Sequence, residues 1–133
     1  MAFPVTRYVR GRLAVVAGGG EVARKKASAL CAGGARVRIV APEIAAGLRE
    51  LAAENAIELR ERAYEAGDLD DAFLAIAATS NDAVNAAVCA DAKRAHILVC
   101  DASKPDRGDF AMSATVQIGD ITFAVDTLSL IHI

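Results

Sequence analysis

Leu13-Ala14-Val15-Val16-Ala17-Gly18-Gly19-Gly20-Glu21-Val22-Ala23 is the stretch that decides the fold. Its first five residues form an unbroken apolar run, the mark of a strand buried on both faces. Three glycines end the run. Beyond them Val22, Ala23, Ala27, Leu30 and Cys31 recur at helical spacing, and Gly33-Gly34 close the pattern as a helix C-terminus does. Strand, glycine turn and helix in this order satisfy G-x-G-x-x-G/A, with Ala23 in the last place. Each position has a mechanical meaning. Gly18 permits the tight turn out of the strand, Gly20 lets a diphosphate approach the main chain, and Ala23 lets the helix pack close to the strand. The helix then offers the free N–H groups of its first turn, at the positive end of its dipole. Gly18, Gly19 and Gly20 are therefore expected to bind a dinucleotide.

Reading outward, residues 37–41 form a second β-branched run closed by Pro42, and residues 44–55 read as a second helix. Residues 57–60 alternate as a third strand, 64–71 are polar and turn-like, and 73–78 are a fourth strand. Thr79-Ser80-Asn81-Asp82 supplies caps for a helix running to residue 96, and residues 97–100 are a fifth strand. Such alternation predicts an α/β fold, a Rossmann-type doubly wound parallel sheet, over residues 1–109. After a polar loop at 101–109, residues 110–118 and 121–125 read as two strands joined by Gly119-Asp120, a hairpin signal. Residues 128–133 fit nothing before them and are expected to be a non-native tail, so His132 carries no functional argument.

Two further positions belong to the expected site. Glu43, just past the second strand and about 20 residues beyond the glycines, stands where an acid accepts hydrogen bonds from the adenosine ribose. It suits the start of the next helix equally well. No arginine replaces it directly, although Arg38 is near, so NAD is favoured over NADP as the cofactor. Thr79 leaves the fourth strand at the carboxyl edge, where ligands bind in such sheets.

The bulk numbers bound the function. A chain of 133 residues supports one domain with a real core. With 24% charged residues and a net charge of −2, it lacks the basic balance of a nucleic-acid binder. No apolar run is long enough for a bilayer, and residues 1–12 have no secretory pattern. Cys31, Cys89 and Cys100 form no C-x-x-C pair, and His96 and His132 are far apart. Buried thiols in a reducing cytoplasm are expected, and no metal site.

Several motifs taken together resemble the precorrin-2 dehydrogenase family, the dehydrogenase module of siroheme synthases. They are Val15 to Lys26 around the glycines, Gly34-Ala35-Arg36-Val37 with Ala41-Pro42-Glu43, Ala77-Ala78-Thr79 followed by Val84-Asn85, and Asp109-Phe110 before the hairpin. The resemblance spans roughly residues 3–127. It implies oxidation of precorrin-2 to sirohydrochlorin with NAD⁺, in a cytoplasmic homodimer. The hairpin then begins a dimerisation region, at 110–127, that this chain holds only in part. Carried over by position, the cofactor contacts fall on Glu21, Val22, Pro42 and Glu43.

The family's candidate acid/base, an aspartate before the D-F pair, falls by count on Ser103, with Asp101 two residues earlier. Asp101 is expected as the first candidate to accept the proton and Ser103 as the weaker one. Cys100 stands in place of a common asparagine. Some members also insert ferrous iron, and the Ser103 departure counts against that second activity here. Precorrin-2 carries eight carboxylates, and Lys104 and Arg107 are the cations expected to meet them. A non-catalytic NAD(H)-binding module and a different NAD-dependent oxidoreductase are the competing expectations, because fold alone does not fix function.

Overall fold

In the structure, a computed structural model that describes residues 3–125, β1 (Leu13–Ala17), β2 (Arg36–Val40), β3 (Glu58–Arg60), β4 (Leu74–Ala77) and β5 (Leu98–Asp101) form one parallel sheet. The strand order is β3-β2-β1-β4-β5. β1 lies in the middle, with Val16 opposite Ile39 of β2 and Ile76 of β4. The chain steps outward from β1 to β3, then returns to the other side of β1 as β4. The order reverses between β1 and β4, and ligands of open α/β sheets bind in the crevice outside the carboxyl ends at such a reversal. The doubly wound sheet expected from the sequence is therefore present. The expected tail and His132 lie outside the described residues.

Alternation along the strands sorts the core into two layers. Ala14, Val16, Val37, Ile39 and Ile76 pack with Ala23, Ala27 and Leu30 of α1 (Glu21–Ala32) and Leu48 and Ala52 of α2 (Ala46–Asn55). Leu13, Val15, Ala17, Ala75, Ala77 and Val99 pack with Val88, Cys89 and Ala92 of α3 (Asp82–Arg94). Ala23 and Ala27 are fully buried, so α1 sits close above β1 and its first turn is held at the end of that strand.

Local differences from the sequence reading have identifiable causes. α2 begins at Ala46, because Ile44 is drawn into the core and the Ala45 N–H donates to the Gly19 carbonyl (2.8 Å). α3 ends at Arg94, and His96 turns left-handed with φ of 58°. Residues 110–113 are not strand. Phe110 and Met112 fold back on the first core layer, and the Asp109 N–H donates to the Val99 carbonyl (2.6 Å). The hairpin proper is β6 (Ala114–Ile118) with β7 (Ile121–Val125), a separate antiparallel pair whose turn takes Gly119 at φ of 60°.

Under the sheet edge, Asp68 is fully buried in the turn-like stretch (a 3₁₀ segment, Ala66–Leu69). It accepts from Arg60 Nη1 (2.8 Å), both Arg62 Nη atoms (2.8 and 2.6 Å) and the Glu65 N–H (2.8 Å). Burial alone would push its carboxyl up. Arg62, the Glu65 amide and Arg60 outweigh that and hold it at about 2. A pKa depressed by folding contributes stability above the unfolded value, and that stability is lost as pH falls through the folded value. Stability should therefore fall between about pH 4 and about pH 2. Asp68→Asn should flatten that limb and lower the neutral-pH melting temperature; an unchanged profile in thermal denaturation would contradict this.

Candidate functional site

The three glycines do different jobs. Gly18 leaves β1 with φ of 139°, its N–H donating to the Val40 carbonyl (3.0 Å). A β-carbon there would stand 2.3 Å from the Ala78 carbonyl oxygen. At Gly19 a β-carbon would lie 1.9 Å from the Glu43 carbonyl oxygen, so this glycine admits the loop that follows β2. Gly20 is the N-cap of α1, and a β-carbon there would meet nothing within 4 Å. No side chain caps α1. The first-turn amides, which have no partner inside a helix, are left for whatever enters from outside.

These amides open on a cleft of about 890 Å³ along the carboxyl edge of the sheet, within the range of small-molecule and cofactor sites. Gly18, Gly19, Gly20, Glu21, Val22, Pro42, Glu43 and Thr79 all line it. Glu21 is paired with Arg24 on the next turn (2.6 Å), which holds its carboxyl down and takes Arg24 away from other anions. Glu43 is exposed at the cleft. Arg38 is not there. Its guanidinium is spent on Glu58 (3.0 Å) and the carbonyls of Asp68 (3.0 Å) and Asp70 (3.2 Å).

Thr79 and the helix cap are separate. Asn81 is the N-cap of α3, accepting from the N–H groups of Ala83 and Val84. The Thr79 N–H and hydroxyl both approach Asn85 Oδ1 (3.1 and 2.7 Å), while Asn85 Nδ2 donates to the Thr79 carbonyl (3.1 Å) and to Ser103 Oγ (3.3 Å). Asn85 is buried, so it ties the loop after β4 to the loop after β5.

The four residues expected to act on substrate form a cluster beside the cleft without lining it. Asp101 is the last residue of β5, not part of an open loop, and it is 1% exposed. One carboxylate oxygen accepts from the Ser103 hydroxyl (2.8 Å) and the N–H groups of Ser103 (3.0 Å) and Lys104 (2.9 Å). The other accepts from Arg107 Nε (2.7 Å) and lies 3.7 Å from Cys89 Sγ. Burial would raise this carboxyl, but the Lys104 amide, Ser103 and Arg107 hold it at about 2. So placed, it is a weak base, and accepting a proton would require the Arg107 pair to open. Arg107 is engaged in the same cluster. Its guanidinium bridges Asp101 (2.7 Å) and Asp82 (2.8 Å), so a substrate carboxylate would compete there with the protein's own. Lys104 stays largely exposed, with Nζ 3.4 Å from Asp82.

Sequence reading missed Tyr64, Ala63 and Val84 on the cleft wall. It also missed Asp82 as the anchor of Lys104 and Arg107. Residues 64–71 carried only a polar, turn-like signal, and a helix N-terminal aspartate is ordinary.

Comparison with known proteins agrees with this geometry. Residues 5–114 match a family described as putative NAD(P)-binding. The chain is 40% identical over 124 residues to a siroheme synthase of Pseudomonas fluorescens (strain Pf0-1), covering 93% of this chain and 27% of that protein. It is 46% identical over 101 residues to a siroheme synthase of Pseudomonas aeruginosa (strain LESB58), covering 74% and 22%. A solved structure described as SirC, precorrin-2 dehydrogenase, superposes with a TM-score of 0.78 at 27% identity, over 95% of this chain and 62% of that one. The resemblance read from the glycine loop and its accompanying motifs is borne out. The chain spans about a quarter of the length of the siroheme synthases it matches.

Proposed function

The chain belongs to the putative NAD(P)-binding family, and from that premise we propose that it oxidises precorrin-2 to sirohydrochlorin with NAD⁺ in siroheme biosynthesis. The observation that carries the proposal is the uncapped N-terminus of α1 behind Gly20, opening on a cleft at the strand-order reversal. The names of the matched proteins, siroheme synthase and precorrin-2 dehydrogenase, supply the substrate.

The residues present fit the cofactor. First-turn amides of α1 would hold the diphosphate, and Gly20 gives it room. Glu43 would accept from the ribose hydroxyls, and with Arg38 committed to Glu58 no arginine at that position supports a 2′-phosphate, which favours NAD over NADP. A bound nicotinamide supplies a two-electron acceptor for the hydride that leaves the macrocycle. Lys104 is the cation best placed to meet a substrate carboxylate. Asp101 and Ser103 hold the loop that carries it. The three free cysteines, two of them buried, suit the cytoplasm.

The decisive experiment mixes the protein with NAD⁺ and precorrin-2 and follows sirohydrochlorin and NADH by absorbance. Equal amounts of both are expected. NAD⁺ binding without either product would reduce the role to that of a nucleotide-binding module.

We further propose that the hairpin pairs with a second copy of the chain. Val116, Ile118, Ile121, Phe123 and Val125 are all more than half exposed, on one face of a two-stranded ribbon. Such a ribbon is marginal alone in water. Phe123→Asp should shift the protein from dimer to monomer in sedimentation; a wild-type monomer at micromolar concentration would contradict the pairing.

A further inference from the structure

We propose that Tyr64 is the wall against which the purine of the bound dinucleotide lies. The inference rests on the nucleotide reading of the cleft and assigns its base-binding end. Tyr64 follows β3 and lines the cleft, its ring packed with Val84 on the α3 face of the sheet. Glu43 after β2 and the glycines after β1 line the same cleft. A dinucleotide with its diphosphate on α1 and a ribose at Glu43 keeps its adjoining base in this cleft, where Tyr64 is the one aromatic among the described lining residues.

The ring is held for that task. Its hydroxyl donates to Asp91 Oδ2 on α3 (2.8 Å), and Asp91 is itself paired with Arg94. Burial and the facing Asp91 carboxylate raise the phenol's pKa, so the donor stays protonated. Tyr64 also packs with Val84 against the α3 core layer, which fixes the ring's apolar body. The polar tip is thus satisfied inside the protein, while the residue borders a cleft that Val84 and Ala63 also line. An aromatic face accepts any base by stacking, and losing it costs about fivefold or more in affinity.

Calorimetry with ADP-ribose and competition with nicotinamide mononucleotide separate this role from a general effect on the fold. Tyr64→Ala should weaken ADP-ribose at least about fivefold and leave the mononucleotide, which lacks adenine, unchanged. Tyr64→Phe should keep most of the ADP-ribose affinity. A second readout needs no affinity change. The chain has two tyrosines and no tryptophan, so in Tyr8→Phe the emission comes from Tyr64 alone. ADP-ribose should then alter that emission, after correction for its own absorbance, and the mononucleotide should not. Wild type that binds NAD⁺ with unaltered ADP-ribose affinity in Tyr64→Ala overturns this inference and leaves the nucleotide reading standing. Equal weakening of both ligands also overturns it, since a loosened fold would do the same. Wild type that binds no nicotinamide dinucleotide overturns both.

Discussion

Gly20→Asp should abolish NAD⁺ binding while leaving the domain as stable as before. The position tolerates a side chain, since nothing lies within 4 Å of a β-carbon there and the backbone is extended, with φ of −100°. Aspartate is also among the best N-cap residues, stabilising helices by a few tenths of a kcal/mol relative to glycine. The gain for the fold is the loss for the ligand. The carboxylate would take the amides of the first turn of α1 and place a negative charge where the diphosphate must sit. A loss of at least about a hundredfold is expected, about 3 kcal/mol of binding free energy, with a melting temperature unchanged or slightly raised. Gly19→Ala should behave in the opposite sense. Its β-carbon would drive into the Glu43 carbonyl oxygen, so stability and binding should fall together. Calorimetry and thermal melting on the two variants decide the matter. Retained affinity in Gly20→Asp would remove the diphosphate from the end of α1.

What made this site readable is that its main parts are local. β1, the glycines and α1 are contiguous, and their boundaries follow from an apolar run, three residues without side chains and a helical period. The two core layers follow from the strict alternation of β1, where Leu13, Val15 and Ala17 face one way and Ala14 and Val16 the other. The parts that were not readable depend on partners far along the chain. Tyr64 meets Asp91 27 residues away, and Arg107 meets Asp82 25 residues away. Composition near Arg107 suggests a cation awaiting an anionic substrate. Only the fold reveals that α3 has already brought it an acid. Gly19 shows the same limit at short range. The motif leaves its second place open, yet here the loop after β2 presses on it so closely that no side chain fits.

Asp101→Ala should destabilise the protein by about 3 kcal/mol, the low end of the range for breaking a buried ion pair because Arg107 keeps Asp82. In a domain of this size that lowers the melting temperature by roughly 10 °C. The cost arises from what the carboxylate leaves behind. Arg107 Nε and the amides of Ser103 and Lys104 lose their acceptor at a site where water has little access. The pH dependence has the same sign as for Asp68. Asp101 titrates at about 2 when folded, so its contribution is complete above about pH 4 and is lost as the medium is acidified toward pH 2. NAD⁺ affinity should change by less than about threefold, which is about 0.6 kcal/mol, because Asp101 does not line the cleft. Asp101→Asn distinguishes an organising role from a chemical one. The amide oxygen can still accept from Ser103 and Lys104, so most of the loop should hold, and turnover of precorrin-2 should survive in proportion to the folded fraction. If Asp101→Asn folds fully, binds NAD⁺ as well as wild type and yet forms no sirohydrochlorin, the Arg107 pair must open during the reaction, and the aspartate is the proton acceptor after all.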